Sequence, residues 1–120
     1  MKVVVSALGQ SLDDRVDERF GRAQYLLVVD TETRAVDPLD NSANAGALQG
    51  AGIGAAETVS EQGAGAVITG HLGPKAYRAL QLAGVEGYNG TGMTVRDALA
   101  AFVAGTLDKL AEGEAHTGMQ

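Results

Sequence analysis

The sequence predicts a single α/β domain in which a strand hairpin is followed by alternating strands and helices. Three observations point there. The VVV run inside Lys2 to Ala7 is apolar at consecutive positions, as in a central strand covered on both faces. Two further runs, Gln24 to Asp30 (QYLLVVD) and Thr33 to Pro38 (TRAVDP), flank the short turn Thr31-Glu32 and read as an antiparallel hairpin. Beyond Gly50, helical periodicity alternates with short apolar runs, and glycine marks each change.

Taken in order, Lys2 to Ala7 ends at Gly9, and a charged loop, QSLDDRVDERFGRA, leads to the hairpin. Asp40 to Ala47 (DNSANAGA) is a polar connection. GAGIGAAETVSEQG then settles into a helix with Ile53, Ala56 and Val59 inward, closed by Gly63. Ala66 to Thr69 is a buried strand, and Pro74 opens a helix to about Ala83 with Tyr77 and Leu80 inward and Gly84 as its stop. Proline suits a first helical position, where its missing N–H would have no partner anyway. Val85 to Tyr88 is a last short strand. Thr94 caps a third helix, with Asp97 as a relative of the capping box and Leu99, Phe102 and Val103 inward. The order is β-β-β-α-β-α-β-α, a mixed sheet flanked by helices, because parallel neighbours require crossovers. One domain is expected over residues 1–112, with a mobile tail over 113–120.

Composition narrows the function. At 120 residues the chain suits one core, and with 17 glycines and 4% aromatics that core is built from Val, Leu, Ile and Ala. The longest apolar runs are far shorter than a membrane span and the start resembles a strand, so a cytoplasmic protein without membrane contact is expected. A net charge of -6 argues against general nucleic-acid binding, which needs a basic face. The absence of cysteine removes disulfides, thiolate nucleophiles, cysteine zinc sites and conventional iron–sulfur ligation. Any inorganic cofactor must then be held by other atoms.

Several motifs carry possible chemistry. GAGIGA, Gly50 to Ala55, satisfies the dinucleotide fingerprint in letters, but a polar stretch precedes it where the fingerprint needs a strand. Its exposed N–H groups could still hold an anion. The core strands VVVSALG and AVITGH carry no carboxylates at their ends, which excludes two-metal nuclease chemistry. Ser6, His71 and Asp17 lack a nucleophile-elbow motif. Asp13, Asp14, Asp17 and Glu18 share one loop with Arg15, Arg19 and Arg22, the composition of a solvated, salt-bridged surface.

Two elements invite a sharper reading. In RFGR, Phe20 between Arg19 and Arg22 could anchor two guanidiniums at the sheet edge, where arginine forks suit oxyanions or thioanions; the alternative is that both pair with neighbouring acids. In ITGHLGP, Ile68 to Pro74, a strand-to-helix turn presents His71 either as a backbone-bonded loop residue or as a ligand. Lys75 follows in the first helical turn, where the helix dipole disfavours a cation unless an anion is near. His116, in the tail, is read as inert or a stray metal binder, and Met93 as a packing residue.

The segments VDERFGRAQYLLVVDTET, DNSANAGALQGAGIGAAETVSEQGAGAVITGHLGPKAYRALQLAGVEGYNG and TVRDALAAFVAGTL together resemble the dinitrogenase iron-molybdenum cofactor biosynthesis family of small cofactor carriers. The match is colinear from about Met1 to Leu110, with VDxRFGR and TGxxGPxA as its specific elements. The resemblance implies a ribonuclease H-like five-stranded mixed sheet without nuclease residues. It further implies non-covalent carriage of a polyanionic metal-sulfide cluster by a non-enzyme. Within the family the cysteine-free chain is most similar to members from sulfate-reducing bacteria whose cluster is a molybdenum–copper sulfide with inorganic sulfurs. Such a cargo needs only backbone N–H groups, cations and apolar contacts.

By position, the resemblance carries cofactor binding onto Arg19, Gly21 and Arg22, onto Gly50 and Gly52, and onto Gly70, Gly73 and Pro74; His71, Leu72 and Lys75 join them from the same turn. The family often has asparagine where this chain has His71, which leaves metal ligation by His71 open. Alternative cargoes are an iron-molybdenum-sulfur cofactor precursor, or a nucleotide or other phosphate ligand on the same glycine turns. A third alternative is an interaction protein whose partner owns the cluster. A monomer that meets a cluster donor or acceptor protein in an anaerobic cell is expected.

Overall fold

The computed structural model describes residues 1–111. The expected tail over 113–120, with His116, and the last residue of the expected domain lie outside them. The strands are β1 (Lys2–Ala7), β2 (Tyr25–Asp30), β3 (Val36–Asp40), β4 (Ala66–Thr69) and β5 (Glu86–Asn89), interleaved with helices α1 (Ser42–Ala45), α2 (Ala51–Glu61), α3 (Pro74–Leu82) and α4 (Val95–Ala104). They form one five-stranded sheet in the order β3-β2-β1-β4-β5. β2 runs antiparallel to β1 and β3, whereas β4 is parallel to β1 and β5. The predicted mixed sheet is therefore present, with the VVV strand at its centre.

Helices cover both faces. Val4, Leu26, Val28 and Val67 pack with Ala55, Ala56 and Val59 of α2 and Ala76 and Leu80 of α3. Their alternates Val3, Val5, Leu27, Val29 and Ile68 pack with Val95, Ala98 and Leu99 of α4. This period-2 division puts the α2 and α3 crossovers on one face and α4 on the other. Thr94 caps α4 as expected, its Oγ1 accepting the Asp97 N–H at 3.1 Å, a contact that contributes about 1 kcal/mol.

Several details differ from the sequence reading. The hairpin turn is longer than Thr31-Glu32: Asp30 Oδ1 accepts the N–H groups of Glu32 (2.8 Å) and Thr33 (3.2 Å), and Arg34 takes a left-handed φ of 65°. β3 consequently starts at Val36 instead of Thr33. The polar connection contains the short α1, which is too brief to show a periodicity. Ile53 and Val103, expected inward, are exposed, and Phe102 is only partly buried, edge-to-face against Tyr88 at 5.1 Å. On the outer edge of β5, a segment past α4 returns: Asn89 N–H donates to Asp108 O and Leu110 N–H to Gly87 O, both at 2.9 Å. Lys109 pairs with Glu86 at 2.7 Å there, holding the Glu86 carboxyl below its usual range. That cover protects an edge otherwise open to pairing. No helix among the described residues is long and apolar enough to cross a membrane.

Candidate functional site

The topology gathers chemistry at one end of the sheet. β1, β4 and β5 run the same way, so the loops that follow them emerge at a common edge. β3 shares that direction, being antiparallel to β2 as β1 is, and so delivers the start of α2 to the same edge. There an open groove of about 850 Å³ forms between the RFGR loop, the start of α2 and the start of α3. Ligands of open α/β sheets bind at this edge of the strands.

The loop after β1 crosses over the sheet end. Val16 enters the core on the α4 side and Phe20 on the α2/α3 side, where it is 2% exposed. Asp17 sits at the crossing and is itself buried. Its N–H donates to Ser6 O (2.8 Å), and its carbonyl lies 2.6 Å from Ser6 Oγ, which stands 2.7 Å from Thr69 Oγ1. With Ser6 donating to the carbonyl and Thr69 to Ser6, two hydroxyls from β1 and β4 pin the loop. Ser6 is fully buried in this role and does not line the groove.

Asp17 also clasps Arg19. Its Oδ1 accepts from Arg19 N–H (2.9 Å) and Nε (3.1 Å), and its Oδ2 from Nη2 (3.0 Å). The hydrogen bond and the charge of Asp17 raise the Arg19 guanidinium above its already high ordinary value. Arg19 remains largely exposed along the groove, and its backbone forms a parallel bridge with His71, joining the two walls. Arg22 is anchored differently: Nη1 donates to the carbonyls of Ala45 (2.9 Å) and Ala47, tying down the connection between α1 and α2. Of the two arginines expected either to pair with acids or to face an anion, Arg19 has an acid partner and Arg22 a carbonyl one.

Glycine is demanded where backbones meet. A Cβ on Gly21 would lie 2.5 Å from Gly52 N and 2.7 Å from Ala51 C, so the RFGR loop rests directly on the first turn of α2. Gly50, at the α2 N-cap, has φ 79°, which only glycine adopts without strain. The first turns of α2 and α3 carry no acidic side chain, and no side chain caps either helix. Both helices thus present the positive end of their dipoles to one groove. Lys75 adds an ammonium in the first turn of α3. No carboxylate lines the groove among the described residues.

Arg19, Gly21, Arg22, Gly50, Gly52, His71, Gly73, Pro74 and Lys75 therefore meet around one space. Gly70 and Leu72 do not: Leu72 is buried in the α2/α3-side core, and a Cβ on Gly70 would strike Glu18 Cβ at 2.6 Å, behind the groove wall. Gln49, Ala51, Ile53 and Ala76 line the groove without having been singled out for it. Ile53 was legible as an apolar residue, but its helix points it at the groove and leaves the core to Ala51, Ala55, Ala56 and Val59. Among the described residues no group of three or more His, Cys, Asp or Glu could hold a metal ion. The arrangement suits an anion that brings its own ligands: backbone N–H groups and cations on the walls, with Ile53 and Pro74 as apolar surface.

Comparison with known proteins places this geometry in context. The family model described as dinitrogenase iron-molybdenum cofactor matches residues 1–105. The apo form of the orange protein from Desulfovibrio gigas superposes with a TM-score of 0.90 at 42% identity, covering 94% of this chain and 95% of that one. A Thermotoga protein of the DUF35 family, solved by NMR, gives a TM-score of 0.79 at 33% identity, with 91% and 92% covered. An uncharacterised protein of Methanocaldococcus jannaschii is 26% identical over 113 residues, 91% of this chain and 95% of its own length.

Proposed function

The chain belongs to the dinitrogenase iron-molybdenum cofactor family, and on that footing we propose that it is a non-enzymatic carrier that binds a polyanionic metal-sulfide cluster non-covalently in the groove. The cargo is, more specifically, a mixed molybdenum–copper sulfide whose sulfurs are inorganic. One observation carries the reading: on a protein of net charge -6, two uncapped helix starts converge with Arg19, Arg22 and Lys75 around a space that no carboxylate lines among the described residues. Screening over roughly 10 Å lets these near cations outweigh the distant acids.

Each group has a task. The N–H groups at the starts of α2 and α3 donate hydrogen bonds to terminal sulfides, Arg19 and Arg22 supply guanidinium donors, and Ile53 and Pro74 keep water from one side of the cargo. His71 stands at the rim as an additional donor or ligand. The absence of cysteine fits a cluster that arrives complete, since no cysteine thiolate is available to build one.

Anaerobic reconstitution with tetrathiomolybdate and copper, followed by desalting, metal analysis and visible spectroscopy, tests the proposal. The expected result is stoichiometric retention of molybdenum and copper with a visible band. No retained molybdenum contradicts it. The same helix starts would also suit phosphate, so a thermal-shift series with nucleotides and inorganic phosphate runs alongside. A shift equivalent to about 2.7 kcal/mol at 100 times the dissociation constant would favour a phosphate ligand instead.

A further inference from the structure

We propose that Asp17 is a positioning residue for the groove, acting on the cargo only through Arg19; the inference rests on the carrier reading above. A carboxylate beside an anion site ordinarily opposes binding, because it cancels the nearest positive charge. Asp17 is nevertheless placed there with unusual care. It is 3% exposed, it takes three donors from Arg19, and its own backbone is fixed at both N–H and C=O by Ser6 and Thr69.

The geometry explains the arrangement. A free arginine side chain has many rotamers, and ordering one on binding costs affinity. Asp17 takes Nε and one edge of Nη2, so the planar guanidinium is held by a parallel pair of bonds before any ligand arrives. Its remaining N–H groups, on Nη1 and the outer edge of Nη2, are then set in a fixed direction. The anchor is rigid because it belongs to the ends of two adjacent core strands, β1 and β4. Arg22, whose Nη1 is bound to carbonyls and which has no carboxylate partner among the described residues, keeps its full charge for the anion. Arg19 thus contributes geometry and Arg22 contributes charge.

Charge and position predict opposite signs for one substitution, which makes the inference testable. Anaerobic titration with tetrathiomolybdate and copper is compared for the unaltered chain, Asp17→Asn, Arg19→Ala and the double variant, with circular dichroism melts for each. Asp17→Asn is expected to weaken binding on the order of tenfold, although it removes a negative charge from the site. In the Arg19→Ala background the same substitution is expected to cause no further weakening, since coupled residues are non-additive. Binding by Asp17→Asn as tight as or tighter than the unaltered chain would overturn the proposal, as would equal weakening in both backgrounds. If Asp17→Asn does not fold, Arg19→Lys keeps the charge but loses the planar fork. It is then expected to weaken binding about tenfold, and unchanged affinity would overturn the proposal. A failure of the unaltered chain to bind would overturn the carrier reading itself, whereas the variant results bear on Asp17.

Discussion

Gly21→Ala is expected to lower the melting temperature by roughly 5 to 15 °C, corresponding to about 1–3 kcal/mol of overpacking, and to weaken cluster retention at least about tenfold. The new methyl group would stand 2.5 Å from Gly52 N and 2.7 Å from Ala51 C. Those are backbone atoms of a helix start, and no side-chain rotation relieves the clash. Either the RFGR loop lifts off, taking Arg19 and Arg22 with it, or α2 withdraws its N–H groups from the groove. Gly73 provides the comparison, because a Cβ there meets nothing within 4 Å. Gly73→Ala should melt near the unaltered chain, so any lost retention would report on the groove alone. Thermal melts and metal analysis after desalting check both, and a Gly21→Ala protein of unchanged stability would show that the loop and helix are not in contact.

The double change Arg19→Ala with Arg22→Ala should reduce affinity for the cluster by about 100-fold or more, because hydrogen bonds to charged groups are each worth about 1.5–3 kcal/mol. His71→Ala should weaken it by only a small factor, since the helix starts and arginines remain. Arg22 also secures Ala45 and Ala47, so the double variant should additionally show faster amide exchange in the connection between α1 and α2. Affinity of the unaltered chain should fall as salt rises, because Arg19 and Lys75 are exposed. Equal retention by the double variant and His71→Ala would mean that backbone contacts alone hold the cargo.

Sequence made part of this legible. The VVV run, the glycine punctuation and the Thr94 cap depend on local chemistry, and each appears where that chemistry puts it. Less legible was anything decided by a distant partner. Asp17 reads as one acid among several in a charged loop, and only Ser6 and Thr69, from two other strands, make it a buried clasp. Ile53 is the largest apolar residue of its helix and so looks like core, but the buried face of α2 runs through Ala51, Ala55, Ala56 and Val59, and Ile53 lies off that face along the groove. The segment that covers β5 has no strand pattern of its own and depends on Gly87 and Asn89 for its backbone bonds. For the groove, the RFGR and HLGPK motifs named most of the wall, because short motifs record where backbone must bend. Gln49 and Ala76 carry no such mark.

The central claim is that one groove, formed by two helix starts and the RFGR loop, holds a preassembled anion. Amide chemical-shift mapping of the 15N-labelled protein during anaerobic titration with the molybdenum–copper sulfide cluster tests it most directly. The account predicts the largest shifts at Gly21, at Ala51 to Ile53 and at His71 to Ala76, with β3 and α4 little changed. Shifts centred on β3 or α4, or undisturbed amides at the starts of α2 and α3, would contradict it.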